Sequence, residues 1–362
     1  MYSLIRNPCK LLVEISKRHT NRRCCTGISY CCSTLCNKRA VDFYIENDHL
    51  ISWTSKISGL VRKNQPQEAI ELFRLMLRSA QKPNYVTILT VIRAVSALNW
   101  EDLITVVHSL VIRMGFEAEP SVLTALLSSY SIYNDMEIVW KLFDQMHANK
   151  DVVFWSVMVS ACVKNGLYME AIDCFREMQF NDVKANHVSV VSVLPACSVL
   201  RALSFGRQIH GFAVRRIFFH LTNVQNSLVD MYAKCGNLDN SIRVFSGIQH
   251  KDVISWRTMI RGCMENGFPS KALGTFSILH LSCSQPDEWI LQDTISAIVH
   301  EGEAQSGLAL HCYVLKSGFL AFTSVGTSLL HMYAKFGEVV SARNLFDHLY
   351  QKDVVAWSAM IT

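Results

Sequence analysis

Long apolar runs are missing from this 362-residue chain, although 50% of its residues are hydrophobic. No stretch of 18 residues escapes charge, proline or polar breaks, and even 188–205 contains Pro195 and Arg201. A spanning helix needs about 20 apolar residues, so no membrane partner is expected. Charged residues are also few, at 18%. A chain so apolar can bury a core, which excludes intrinsic disorder for most of its length. Cysteine is not rare, yet its usual pairing patterns are absent. Six of the 13 cysteines (Cys9, Cys24, Cys25, Cys31, Cys32, Cys36) crowd near the N-terminus and seven stand singly. A secreted disulfide framework does not fit that distribution. Without a C-x-x-C pair or a second cluster, the crowded six also match zinc spacing poorly, so neither metal nor cofactor is expected. There is no G-x-S-x-G and no phosphate-cradling glycine loop, and nucleophilic catalysis on a small-molecule substrate has no support. The chain reads as a non-enzyme.

The net charge of +5 is unevenly placed. Arg6, Lys10, Lys17, Arg18, Arg22, Arg23, Lys38 and Arg39 face a single acid, Glu14, in the first forty residues, leaving 27 basic against 29 acidic residues elsewhere. A basic, acid-poor segment interleaved with Leu4, Ile5, Leu11, Leu12, Val13 and Ile15 has the composition of an organellar presequence, assigned to 1–45. The alternative is a disordered basic arm.

Repetition governs the remainder. Trp53, Trp155, Trp256 and Trp357 recur at intervals of 102, 101 and 101 residues, each in a similar phrase: LISWTSKISG, VVFWSVMVSA, VISWRTMIRG, VVAWSAMIT. Within each long period a small residue precedes an aromatic by four: Ala69/Phe73, Ala171/Phe175, Ser241/Phe245, Ala272/Phe276 and Ala342/Phe346. That spacing puts both on one helix face, where the small side chain admits a neighbouring helix. Apolar residues at helical spacing run up to Gly166, Gly236, Gly267 and Gly337, with Asn64 at the equivalent place, and residues that tolerate left-handed backbone there predict helix ends. Each short unit is therefore two helices, and such hairpins must stack to bury their faces. The predicted fold is all-α, a right-handed α-solenoid superhelix of helix-turn-helix repeats.

The phrases SLVDMYAKCGNLDNSIRVF (227–245), SLLHMYAKFGEVVSARNLF (328–346) and ACSVLRALSFGRQIHGFAV (196–214) carry a family resemblance. The chain resembles plant pentatricopeptide repeat (PPR) proteins of the PLS subgroup, in which P, L and S motifs alternate. In that register the motifs are P 50–84, L 85–119, S 120–151, P 152–186, L 187–221, S 222–252, P 253–287, L 288–322 and S 323–353, followed by an incomplete P motif at 354–362. The S motif 120–151 departs from the others by one extra residue near its end and by Val139 where they have Ala or Ser. Some members end in a zinc deaminase domain (DYW), which needs an H-x-E helix and a C-x-x-C pair. Neither pattern occurs here, so no intrinsic deaminase is expected.

Histidines 108, 210 and 311 tempt a metal or catalytic reading, yet all take the place that Phe holds in P and S motifs. Helices pack about 8 to 10 Å apart, which separates histidines three repeats apart by roughly 30 Å. They are expected to pack and hydrogen-bond near the core. The recurring pairs Met231/Tyr232 and Met332/Tyr333 read as core residues in the same way.

The resemblance places RNA base selection at the fifth and last residues of each motif: Thr54/Asn84, Thr124/Asp151, Ser156/Asn186, Asn226/Asp252 and Thr327/Asp353. It implies adenine for hydroxyl with Asn, guanine for hydroxyl with Asp and uracil for Asn with Asp, hence A-N-G-A-N-U-N-N-G with N unassigned. Ile51, Val153, Ile254 and Val355, at the second position, would sandwich bases. Two departures leave bases unassigned: Arg257/Asp287, where a guanidinium could block the pocket or pair with the acid, and Leu89, Val191 and Gln292 at the fifth position of the L motifs. Against base reading stands the plainer role of such residues as helix caps and turn formers.

The resemblance implies a sequence-specific adaptor for single-stranded organellar RNA, in the mitochondrion or alternatively the chloroplast. It would recruit an enzyme in trans for RNA editing or another processing step. Alternatives are a helical-repeat scaffold that binds protein, and a truncated product with no independent activity, suggested by the break in mid-motif.

Overall fold

The computed structural model describes residues 53–79, 81–146, 150–282, 284–349 and 352–361. The expected presequence with its cysteine cluster, Ile51, and residues 147–149 near the end of the unusual S motif lie outside the described residues. Among the described residues there are 19 α-helices and three short 3-10 segments, with no strand. No helix among them is long and apolar enough to cross a membrane.

The chain divides into two compact units after Val183. The first holds four hairpins: α1 (Trp53–Arg62) with α2 (Pro66–Arg78), α3 (Tyr85–Leu98) with α4 (Glu101–Met114), α5 (Pro120–Ile132) with α6 (Met136–Gln145), and α7 (Val152–Lys164) with α8 (Tyr168–Phe180). The first helix of each packs on the next, α1 on α3, α3 on α5 and α5 on α7. The second unit repeats this with α9 (His187–Val199), α10 (Leu203–Arg215), α11 (Thr222–Lys234), α12 (Leu238–Ser246), α13 (Val253–Glu265), α14 (Pro269–Leu281), α15 (Glu288–Glu301), α16 (Ala304–Lys316), α17 (Thr323–Lys335), α18 (Val339–His348) and α19 (Val354–Ile361). Here α9, α11, α13, α15, α17 and α19 form the row of first helices. Each unit is a stack of helical hairpins, as in an α-solenoid.

The sequence rules for these helices reappear as packing. Ala69 and Phe73 are fully buried on α2, as Ala171 and Phe175 are on α8. Ser241 takes the small-residue place on α12, and its buried hydroxyl donates to the Val229 carbonyl at 2.9 Å. Asn64, Gly166, Gly236, Gly267 and Gly337 all adopt positive φ between the helices of a hairpin.

The long tryptophan period has its own physical basis. Trp155, 2% exposed, meets Phe143 edge to face at 5.0 Å between centroids, and Lys150 Nζ lies 3.7 Å from the centre of that phenyl ring. The set recurs as Phe245, Trp256 and Lys251, and again as Phe346, Trp357 and Lys352, with ring separations of 5.2 and 4.8 Å. An aromatic pair of this kind contributes about 0.5 to 1.5 kcal/mol beyond its buried area. At these three junctions the phrase around the tryptophan therefore joins the second helix of one hairpin to the first helix of the next.

The three histidines pack separately, each against the tyrosine 22 residues ahead. His108 Nδ1 lies 3.0 Å from the Tyr130 hydroxyl, His210 Nδ1 2.9 Å from that of Tyr232, and His311 Nδ1 2.7 Å from that of Tyr333. Burial holds all three imidazoles below their ordinary pKa of 6.5, with Glu117 pulling His108 slightly the other way. Burial also raises the phenols, Tyr130 to about 12. Among the described residues no group of three or more His, Cys, Asp or Glu is placed to hold a metal.

Because these imidazoles titrate lower in the fold than in the unfolded chain, their contribution is complete above pH 6.5 and declines as pH falls. The urea midpoint is expected to drop between pH 7.5 and 5.5. Replacing all three histidines by glutamine should flatten that dependence, and an unchanged slope would discount them. A second prediction concerns the turns Gly115, Ile217 and Gly318, which share positive φ values of 72, 63 and 74° ahead of the three 3-10 segments. A β-branched residue is strained there, and Ile217 is 73% exposed, so it has little packing to lose. Ile217→Gly is expected to raise the unfolding free energy by about 1 kcal/mol in urea titrations.

Candidate nucleic-acid interface

A helix starts with backbone N–H groups that its own turns cannot satisfy. In this chain six Asn and Asp residues meet that need for the helix that follows each, whereas α5, α11 and α17 begin without a side-chain cap. Asn84 accepts from Thr87 N at 2.8 Å, Asp151 from Phe154 N at 2.8 Å and Asn186 from Ser189 N at 2.9 Å. Asp252 accepts from Ser255 N at 2.7 Å, Asp287 from Ile290 N at 2.8 Å and Asp353 from Ala356 N at 2.7 Å. The capping role weighed for these positions is therefore real. In every one of these bonds the acceptor is Oδ1.

Three of the sequence pairs meet at these caps. Thr54 Oγ1 lies 3.5 Å from Asn84 Oδ1 and 2.6 Å from the Thr87 hydroxyl. Asn226 Nδ2 donates to Asp252 Oδ1 at 3.1 Å, and Thr327 Oγ1 to Asp353 Oδ1 at 3.4 Å. Thr124 instead donates to the Pro120 carbonyl at 2.7 Å, one turn back on α5, and Asp151 lies at the start of α7. Ser156 bonds the Val152 carbonyl in the first unit, and Asn186 begins α9 in the second.

Arg257 and Asp287 resolve as an ion pair, Nη1 to Oδ2 at 3.6 Å. Val153, Ile254 and Val355 are 53%, 52% and 60% exposed. Fully polar partners and open apolar surface thus lie at the same ends of the first helices.

Asp252 shows the electrostatics most fully. Burial alone would raise its pKa, but hydrogen bonds from the Ser255 hydroxyl and backbone and from Asn226 hold it below the ordinary carboxylate value. All these bonds converge on Oδ1, and Oδ2 takes part in none of them. Asn84 and Asn186 likewise cap through Oδ1, which leaves the amide Nδ2 outside the cap. An Asn/Asp exchange at these positions changes the second terminal atom from donor to acceptor without touching the cap. Asn226 Oδ1 is buried with no hydrogen-bond partner, an acceptor left over after its amide meets Asp252.

The residues that sequence reading missed are the hydroxyls of Thr87, Ser189 and Ser255, which bond the capping side chain at 2.8, 3.1 and 2.7 Å. Their signal was available: a hydroxyl three residues after Asn or Asp at a helix start can complete a capping box, as Ser189 and Ser255 do for Asn186 and Asp252. Asp252→Asn is expected to change the thermal midpoint little. Asp252→Ala should lose about 1 kcal/mol, the usual worth of an N-cap, in the same calorimetric measurement.

Comparison with known proteins places these features. The PPR repeat family model matches residues 51–79, 121–150, 153–183, 226–253, 254–280 and 327–354. A pentatricopeptide repeat-containing protein of Arabidopsis thaliana, At3g05240, is 33% identical over 333 residues, spanning 89% of this chain and 58% of the relative. Two further Arabidopsis relatives, At2g03380, named as mitochondrial, and At1g11290, named as chloroplastic, are each 33% identical over 86% and 90% of this chain. The chain spans about half the length of these relatives (58%, 45% and 40%). Among solved structures, PPR10 in complex with an 18-nt psaJ RNA element superimposes with a TM-score of 0.72 at 17% identity, over 89% of this chain and 49% of that one. PPR10 from maize gives 0.58 at 18% identity over 97% of this chain and 50% of that one. Recurring hairpins, capped helix starts and the matched segments together assign the chain to the pentatricopeptide repeat family.

Proposed function

We propose that the protein is a sequence-specific adaptor for single-stranded RNA in a plant organelle, with no catalytic activity of its own. In this reading it belongs to the PLS subgroup and recruits a processing enzyme, in RNA editing or a related step. The observation that carries the proposal is the second polar atom that lies outside the cap bond at Asn84, Asp252 and Asp353. Asn84, Asp252 and Asp353 anchor through Oδ1 and meet their fifth-position partners there, while Nδ2 or Oδ2 lies outside the cap bond. Such atoms can donate to or accept from a base edge at no cost to the helix start. The exposed Val153, Ile254 and Val355 supply apolar contacts for base faces.

Phosphate contacts come from a few local cations in this reading. Arg62, Lys164, Lys234 and Lys335 close the last turns of α1, α7, α11 and α17. With a balance of 27 basic to 29 acidic residues after residue 40, binding should depend on salt less steeply than in a basic groove. The names of the relatives and the RNA in the PPR10 complex support the assignment; mitochondrion is the first choice of compartment and chloroplast the second.

The test is equilibrium binding of the full chain to RNA carrying A-N-G-A-N-U-N-N-G and to single-base variants. Changes at the assigned bases are expected to weaken binding, and equal affinity throughout would end the reading. Asn226→Thr should shift the sixth-base preference from uracil to guanine; an unchanged preference would refute the register.

A further inference from the structure

The hairpin of α9 and α10 differs in charge from the two others that end in a 3-10 segment. Those two, within 85–119 and 288–322, carry four acids each, whereas residues 183–229 contain no acid and hold Lys184, Arg201, Arg207, Arg215 and Arg216. Among the described residues no ion pair involves any of these four arginines, and Asp230, the next acid along the chain, is taken by Lys234 at 2.9 Å. Arg207, Gly211, Val214 and Arg215 fall at i, i+4, i+7 and i+8 on α10, which puts them on one face. A β-carbon at Gly211 would stand 3.4 Å from Arg215 Nη1, so this guanidinium lies back along the helix toward Arg207. Val214 is 52% exposed on the same face, and Ile217, just past the helix end, is exposed further. At the corresponding turns the other two hairpins have Gly115 and Gly318, yet Ile217 holds the same positive φ. A β-branched residue is strained in that conformation, and its side chain covers little of its own chain. Backbone strain of this kind clusters where a protein meets a ligand.

We propose that α10 and the turn after it form a docking surface for an acidic segment of a partner protein. Arg207 and Arg215 each donate paired hydrogen bonds to carboxylates of that segment. An apolar side chain next to those carboxylates is buried on Val214 and Ile217. Arg201, two residues before α10, and Arg216, at its C-terminal cap, extend the positive surface at both ends. An RNA phosphate would satisfy the arginines but leave the exposed aliphatic pair uncovered. The atoms assigned to base reading also lie at the starts of first helices, whereas α10 is the second helix of its hairpin. The docking surface does not rest on the RNA-binding reading.

The test titrates the full chain with a labelled peptide that alternates Glu and Leu, with the same peptide carrying Gln for Glu, and with polyuridylate. The acidic peptide is expected to bind and its Gln counterpart to bind far more weakly. Arg207→Gln combined with Arg215→Gln should weaken the acidic peptide about tenfold. Ile217→Gly should weaken it by about the same factor while raising the unfolding midpoint in urea, a combination that damage to the fold cannot produce. No binding of the acidic peptide, equal binding of the Gln peptide, or unchanged affinity in Ile217→Gly refutes the surface. If polyuridylate binds and loses affinity in the double arginine variant while the acidic peptide does not, the arginines contact RNA and the docking proposal falls.

Discussion

The starts of six first helices, α3, α7, α9, α13, α15 and α19, set the constraint on which the remainder turns. A side-chain oxygen must reach the exposed N–H groups there, and Asn84, Asp151, Asn186, Asp252, Asp287 and Asp353 each supply one. Asn and Asp are almost unique in having a second polar atom fixed rigidly beside the first. The fold thus demands a residue class that carries a chemical choice with it. The cap bond runs through Oδ1 whichever atom stands beside it, so the choice of N or O at the second place is open to serve another purpose.

Much of this was legible in the sequence because it obeys local rules. Ala69/Phe73 and Ala171/Phe175 follow from helical periodicity, and the stops at Asn64, Gly166 and Gly236 from backbone sterics. The pairing of His108 with Tyr130 could be anticipated only as packing, since the partner lies on another hairpin. What sequence could not decide was how a hydroxyl spends its proton. Thr54 turns to the neighbouring motif's Thr87, while Thr124 turns back to the Pro120 carbonyl on its own helix. Both are threonines at the same register position. The difference lies in rotamer and helix placement, to which residue identity gives no access.

Electrostatics is likewise local. The +5 of the whole chain resides before residue 40, and the hairpins carry nearly balanced charge arranged in short pairs such as Lys234–Asp230 and Arg257–Asp287. Exposed pairs of this sort contribute little to stability, about 0 to 1 kcal/mol. Their effect is to keep long basic side chains near defined carboxylates. A phosphate approaching such a lysine or arginine must therefore compete with a neighbour, which favours partners that offer base contacts as well as charge.

The Phe–Trp–Lys box has a consequence for how such a chain can change in length. Phe245 lies on the second helix of one hairpin and Trp256 on the first helix of the next, and the same junction appears at Phe143/Trp155 and Phe346/Trp357. Adding or deleting one whole period, 101 or 102 residues, rejoins a phenylalanine to a tryptophan. Adding or deleting one hairpin sets a different surface against the indole and leaves an aromatic face without its mate. The currency of growth for this architecture is the triplet of hairpins, and an engineered chain that respects it can be extended without redesigning a single junction.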